Sequence, residues 1–414
     1  SMMGAGMVGA LAYAFSDSFW FSAVETEVYA LSSFFTAVVF WAILKWEAQA
    51  DEPGADRWLL FIAYMMGLSI GIHLLNLLTI PALAFVYYFR KNGKASISGI
   101  MKTLVVGVFI LAFIQYGIVQ YLISVAASFD LFFVNSLGLS FGSGILFFAL
   151  LVAAALVFGI RYSVIHQKRV LNLCLLSTVL VIFGYSSFAM VVIRANAAPS
   201  LNNNDASEVF SFLGYISREQ YGDRPLLSGP NYNSSDPAYK EGATLWRKGK
   251  ERYESAGRKG GYQYAETTLL PRMYSSKENH AAFYKNWMKV GDDYRPGLID
   301  NLSFLSTYQV GYMYVRYFMW NFVGRQNDIQ GQGSGYEGEW LSGIKPIDSL
   351  RLGDQSHLPP STIDNKAYNR FYFLPFLLGV IGLAWHISRS KKDAGVIALL
   401  FFFTGLAIVL YLNQ

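Results

Sequence analysis

Apolar runs of 16 to 24 residues, separated by short basic connections, fill residues 1–192 and return in 370–414, whereas 193–369 mixes polar and apolar positions on a short scale. A membrane-crossing helix needs about 20 mostly apolar residues, and shorter runs serve where the bilayer thins. The pattern predicts nine spans, at 4–20, 27–46, 57–73, 75–90, 100–119, 142–161, 169–192, 370–388 and 394–412. The stretch 57–90 is too long for one helix and carries Arg57 at one end and Arg90 and Lys91 at the other, which marks a hairpin returning to the side it left. Residues 301–324 are charge-free apart from Arg316 and could pass as a tenth span, but that would put Arg389, Lys391 and Lys392 outside, so an interfacial or buried helix is expected there.

Short cytoplasmic loops are enriched in Lys and Arg. One set of connections carries Lys45 and Arg57; Arg90, Lys91, Lys94 and Lys102; Arg161, Lys168 and Arg169; and Arg389, Lys391 and Lys392, twelve in all, while those near 20–27, 74 and 120–141 carry none. The bias puts the N-terminal end inside and 193–369 outside. It predicts a transmembrane domain of about seven spans over 1–192, a soluble extracytoplasmic domain over 193–369, and two transmembrane helices over 370–414. The outer segment holds 19 acids and 20 bases, with turn signals at Gly229-Pro230-Asn231 and Lys259-Gly260-Gly261. It is long enough to fold alone, and its short mixed runs suggest an α+β fold. The class expected is thus a mainly α, polytopic membrane protein.

Composition agrees. Of 414 residues 53% are hydrophobic and only 15% charged, against roughly 25% charged in a soluble domain. A purely soluble enzyme is excluded. The net charge of +5 comes from basic clusters between apolar runs rather than a stripe interleaved with aromatics, so nucleic acid is not an expected partner. The single cysteine, Cys174, allows neither an intrachain disulfide nor a cysteine zinc site. Ser1 before Met2 and Met3 reads as a cloning remnant with the natural start missing.

Gly4-Ala5-Gly6-Met7-Val8-Gly9 matches the dinucleotide fingerprint, but that motif needs a preceding strand, and only three residues precede it. Small residues at this spacing serve close helix packing in membranes. Asp17, Glu25 and Glu27 fall at the outer mouth between two spans, in Phe15-Ser-Asp-Ser-Phe-Trp-Phe-Ser-Ala-Val-Glu-Thr-Glu-Val-Tyr29. Carboxylates at membrane depth are costly and line cavities or substrate paths; a solvated loop within an aromatic belt is the alternative. A helix continuing into the second span would put Glu25 and Tyr29 on one face. Ser69, His73 and Asn76, at i, i+4 and i+7, share a face of a helical stretch, as a polar lining for a sugar or phosphate or as interhelical hydrogen bonding. His73 has no second ligand at metal spacing, so no metal is expected. In 193–369, Arg218-Glu-Gln-Tyr-Gly-Asp-Arg224-Pro and Arg316-Tyr-Phe-Met-Trp-Asn-Phe-Val-Gly-Arg325-Gln-Asn-Asp328 concentrate Arg with aromatics and amides. Arg suits bidentate phosphate binding; an aromatic core with surface ion pairs is the alternative. Asn233-Ser-Ser235 is a glycosylation sequon.

Together the block 15–29, Gly67-Leu-Ser-Ile-Gly-Ile-His-Leu-Leu-Asn76, Arg218 through Pro225 and Met319 through Asp328 resemble a large bacterial membrane family, long catalogued as a domain of unknown function and similar to protein O-mannosyltransferases of the glycosyltransferase-C superfamily. The resemblance covers essentially the whole chain. It implies a glycosyltransferase-C fold in the inner (cytoplasmic) membrane and an inverting enzyme that moves a sugar from a polyprenyl phosphate to a protein or lipid hydroxyl on the periplasmic side, without a cofactor. Partners are then the bilayer, the lipid-linked sugar and an acceptor protein. It also implies a catalytic Asp or Glu in the first outer loop. Related sequences carry it in an Asp-Cys-Gly-Glu block ahead of the segment that begins here, and Asn413-Gln414 reads as a cut before further spans, so both ends look truncated and the base is expected upstream. Such a reaction needs a carboxylate for the acceptor hydroxyl and cations for the departing phosphate. Glu25, Glu27, Tyr29, His73 and Asn76 are expected to line the outward cavity. Positions 316 and 325 lie on opposite faces of an unbroken helix, so Arg316 is expected as the buried partner of an acid and Arg325, beside Gly324, as the phosphate contact. A transporter would carry ionisable residues in mid-span, which these spans nearly lack; a receptor or scaffold would need only the outer domain.

Overall fold

The computed structural model of the chain describes residues 2–219, 225–234, 237–275, 277–331, 333–355 and 357–413. Ser1, residues 220–224 of the Arg218 block and Ser235 of the sequon lie outside them.

The fold is predominantly helical with a small sheet content. Five helices are long and apolar enough to cross a membrane: Tyr29–Gln49, Ile97–Asn135, Ser143–Ile165, Arg169–Asn196 and Lys391–Leu412, and two shorter apolar helices are Met3–Ala14 and Leu374–Arg389. The chain is a multi-pass membrane protein. Along Ser143–Ile165 only Gly144 and Ser163 are buried, and a helix apolar all round with its side chains uncovered is one that faces lipid.

Five of the nine apolar runs fall on these long helices, and the other four lie on helices that are shorter or interrupted. The first splits at Phe15 and Ser16 into Met2–Ala14 and Asp17–Val24. The run 57–90 gives Asp56–Ile70 and Ile80–Lys91, of 15 and 12 residues, about 22 and 18 Å long, joined by the turn Gly71 to His73 and the 3₁₀ turn Leu74–Thr79. Each is shorter than the roughly 30 Å hydrocarbon core. Conversely, the loop expected over 120–141 is mostly helix. Ile97–Asn135 runs unbroken for 39 residues through a π-helical stretch, Phe113–Tyr121, about 58 Å and nearly twice the core.

The chain divides into two compact units. One comprises Leu31–Asp223 and Ala238–Gln263, the other Ser1–Ala30, Arg224–Pro237 and Tyr264–Gln414. These units do not coincide with the segments bounded at 192 and 369.

In the first unit, Asp56–Ile70 crosses Arg169–Tyr185 at two facing glycines. A Cβ on Gly67 would lie 2.3 Å from the Val181 carbonyl oxygen, and one on Gly184 2.6 Å from the Tyr64 carbonyl oxygen. Such small residues let backbones touch where lipid offers no hydrophobic drive. Gly67→Leu is therefore expected to lower the melting temperature in detergent by several degrees, whereas Gly93→Leu, with nothing within 4 Å of its Cβ, should leave it unchanged; equal melting of the two variants would refute the crossing. The bases at both ends of the 57–90 run gather at the 49–56 loop: Arg90 donates to the Glu47 carbonyl at 3.0 Å and pairs with Asp51, Arg57 reaches Gln49 at 3.4 Å, and Arg169 pairs with Asp56 at 2.8 Å. The antiparallel hairpin Ala238–Lys248 with Tyr253–Gln263 completes this unit. The turn expected at Lys259-Gly260-Gly261 is thus strand.

In the second unit, Leu298–Phe304, the π-helical stretch Leu305–Val315 and Arg316–Phe322 form one helical rod with Phe304, Gln309 and Arg316 buried. One side of it is buried and the other exposed, and it is not among the helices long and apolar enough to cross a membrane. Phe304 packs with Met273 and Tyr284. Arg272 donates to the Leu410 carbonyl at 3.0 Å, capping the last apolar helix. The remaining strands are two-residue pairs, Ser228–Gly229 with Thr268–Leu269 and Gly324–Arg325 with Asn369–Arg370.

Candidate functional site

The break after Ala14 creates the first part of the site. Ser16 is extended, and the helix Asp17–Val24 starts directly behind it. A carboxylate in a first turn is favoured by the exposed N–H groups of the helix end. Asp17 is exposed, and its Oδ2 accepts from Asn369 Nδ2 at 2.5 Å and lies 3.5 Å from Arg325 Nη2.

The second part comes from the end of Arg316–Phe322. Gly324 has φ +136°, and a Cβ there would stand 2.4 Å from the Leu341 carbonyl oxygen, so only glycine lets the chain leave the helix and run on as strand. Arg325 follows, paired with Asn369 on one side and bridged to Trp340 on the other. Its backbone N–H donates to Asn369 Oδ1 at 2.8 Å. Asn369 thus holds the backbone of Arg325 with one end of its amide and the carboxylate of Asp17 with the other.

Because the helix ends before residue 325, the two arginines are not on opposite sides of one cylinder. Both guanidinium groups lie 5.2 Å from the indole ring of Trp320. Arg316 also lies against Tyr312 at 4.2 Å and Tyr317 at 4.5 Å. Its Nε donates to the Tyr312 carbonyl at 3.1 Å and its Nη1 to the carbonyl of Gly338. The expected acid partner of Arg316 is absent among the described residues; aromatic faces and carbonyls hold it instead. The acid belongs to Arg325. That residue is 8% exposed, and its Nε has no hydrogen-bond partner among the described residues. Behind it, Asn327 Oδ1 accepts from the Gly338 N–H at 2.7 Å, and the Gln326 N–H donates to the Glu339 carbonyl at 3.0 Å. The amides of the 319–328 block close this loop. The result is two guanidiniums beside one indole with the Asp17 carboxylate against Arg325, an arrangement suited to an anion that competes with Asp17 for Arg325.

The other candidates fall elsewhere. Glu25, Glu27 and Tyr29 are exposed. The helix does not continue through them: Glu25 closes Asp17–Val24 and the next helix begins at Tyr29, so Glu25 and Tyr29 share no helical face. His73 and Asn76 belong to the other unit. The helix carrying Ser69 ends at Ile70, and His73 is extended, half-buried and accepts the Leu75 N–H at 3.1 Å through Nδ1. Asn76 is fully buried, donates to Ser69 Oγ at 2.9 Å and accepts from Thr36 Oγ1 at 3.1 Å; its polar atoms are used between helices. The glycines at 4, 6 and 9 meet nothing within 4 Å, so their packing partner is not among the described residues.

One buried acid escaped the sequence reading. Asp130 is 0% exposed and accepts from the N–H groups of Gly142 at 3.0 Å and Gly144 at 2.9 Å and from the Tyr253 hydroxyl at 2.7 Å. Asn135 adds a reciprocal pair with the Tyr253 backbone, both bonds 2.9 Å. Burial and then the bond to Asp130 push the Tyr253 phenol well above its ordinary value. A phenol kept neutral by folding contributes stability that is whole below about pH 10 and is lost as pH rises beyond it; alkaline titration of wild type against Tyr253→Phe should part only there. The available signal was that Asp130 is the lone acid between positions 57 and 192.

Comparison with known proteins gives two matches. Residues 1–96 match the model of the protein O-mannosyl-transferase TMEM260 N-terminal domain, and residues 222–306 match a family of unknown function, DUF8416. No significant match is found among curated proteins or solved structures. The first match takes in Asp17, Glu25, Glu27, Tyr29, His73 and Asn76, so the N-terminal part of this membrane protein is similar to an O-mannosyltransferase domain.

Proposed function

We propose that the chain serves a membrane glycosyltransferase of the protein O-mannosyltransferase kind, moving a sugar from a polyprenyl phosphate to a hydroxyl of an acceptor protein at the outer face of the cytoplasmic membrane. The observation that carries this reading is the O-mannosyltransferase match over 1–96, whose Asp17 reaches the buried Arg325. A glycosyltransferase-C arrangement, with 193–369 outside and the remaining short apolar runs as spans, is part of the proposal.

In this reading the acceptor oxygen attacks the anomeric carbon and the polyprenyl phosphate leaves with the bonding pair. Arg325 meets the phosphate with its planar fork, Trp320 lies beside that fork, and Asp17 holds it until the donor arrives. Glu25, Glu27 and Tyr29, exposed and following the helix of Asp17 in the chain, face the substrates in this reading. The base that takes the acceptor proton is not assigned to a residue of this chain.

The donor class is tested by incubating proteoliposomes of the full-length protein with an acceptor polypeptide and either polyprenyl phosphate mannose or a nucleotide-linked mannose. Transfer from the lipid donor alone is expected; transfer from the nucleotide sugar would overturn the reading. For topology, single cysteines at Ser200 and Ser390 in a Cys174→Ser background are expected to react with an impermeant thiol reagent on intact cells at 200 and not at 390. The reverse pattern would invert the orientation.

A further inference from the structure

We propose that the turn of the 238–263 hairpin, with Lys248, Lys250 and Arg252, is a docking site for the headgroups of anionic phospholipids. The helix Ser143–Ile165 has 23 residues, about 34 Å, enough to cross the core once, and Lys168 and Arg169 follow its far end. Its Ser143 end therefore lies at the opposite bilayer surface. Tyr253 is fixed to that end, because Asp130 accepts from its hydroxyl and from the first N–H groups of the same helix. The turn 249–252 directly precedes Tyr253, so it is held at the level of the headgroups.

The chemistry at that level is that of a lipid surface. Lys248, Lys250 and Arg252 are exposed and in no ion pair among the described residues. Lys248 lies 4.9 Å from the ring of Phe141, in the turn between the two crossing helices. Glu254 pairs with Arg247 at 3.6 Å, Glu208 is engaged by the Phe210 and Ser211 N–H groups, and Glu251 is the acid within the turn itself. In the same turn as Phe141, Leu137 and Leu139 are 53% and 46% exposed. Bases beside uncovered leucines at a membrane surface bind phosphate headgroups while the apolar chains enter the interface. An acidic polypeptide would use the bases and leave the leucines in water, so the lipid is the occupant that fits both.

The experiment uses the full chain in neutral detergent, with Cys174→Ser and a polarity-sensitive fluorophore on Ser140→Cys. Short-chain phosphatidylglycerol should shift the probe and phosphatidylcholine should not. Each base at an anionic surface is worth about fivefold, so Lys248→Gln/Lys250→Gln/Arg252→Gln should weaken binding on the order of a hundredfold, and Glu251→Gln, at an exposed turn position, should strengthen it about fivefold. Equal responses to the two lipids, or no change in either variant, would overturn the proposal. So would polyglutamate displacing phosphatidylglycerol at equal charge concentration, which would make the occupant a protein. Polyprenyl phosphate binding at Arg325 should be the same in these variants, so the two readings fail separately.

Discussion

Asp130→Ala is expected to destabilise the unit holding the hairpin by about 3–5 kcal/mol, the largest stability effect of any single change considered. The alanine leaves the N–H groups of Gly142 and Gly144 and the hydroxyl of Tyr253 without their shared acceptor, and Tyr253, 3% exposed, cannot turn to water. Thermal unfolding in detergent should show a fall of many degrees, and limited proteolysis should cut the hairpin first. Tyr253→Phe removes one donor and leaves the carboxylate bonded to backbone, so about 1 kcal/mol is expected. If Asp130→Ala melts no lower than Tyr253→Phe, the carboxylate is not the centre of this joint.

Arg325→Ala is the change expected to matter most for activity. Removing a donor aimed at developing charge costs on the order of 10²- to 10³-fold in rate, and under the proposed function Arg325 is that donor for the departing phosphate. Asp17→Asn should cost far less, because Asn369 still positions the Arg325 backbone. Arg316→Lys should act through folding, since its guanidinium lies buried against Tyr312, Tyr317 and Trp320 and donates to the Gly338 carbonyl. Initial rates at saturating donor separate the three, and a rate loss in Arg316→Lys at unchanged melting temperature would reverse the assignment of the two arginines.

Several parts of this architecture are legible in the chain and others are not, for physical reasons. Runs such as 142–161 and 394–412 are apolar for long enough that only a membrane helix suits them. The extension of the fifth run to Asn135 is hidden because Asp130 interrupts its apolar pattern, and the groups that satisfy that acid, the N–H groups of Gly142, Gly144 and Ile145 and the Tyr253 hydroxyl 123 positions away, are not local to it. The hairpin reads as turns because Gly242, Gly249, Gly257, Gly260 and Gly261 dilute it and its exposed faces show no alternation of burial. At the candidate site, the amide and arginine content of 316–328 is visible, but the pairing of Asp17 with Arg325 crosses most of the chain. The helix end at Gly324, which brings both arginines to Trp320, rests on a close approach to Leu341 that no local pattern announces.

The central claim is that Arg325 receives a lipid-borne phosphate, and the most direct measurement is the affinity of the full chain for a polyprenyl phosphate in detergent, compared among wild type, Arg325→Lys, Arg325→Ala and Arg316→Lys. Lysine keeps the charge and loses the fork, so binding should weaken in Arg325→Lys, weaken further in Arg325→Ala and stay near wild type in folded Arg316→Lys. Unchanged affinity in both Arg325 variants, or a loss confined to Arg316→Lys, would contradict the account.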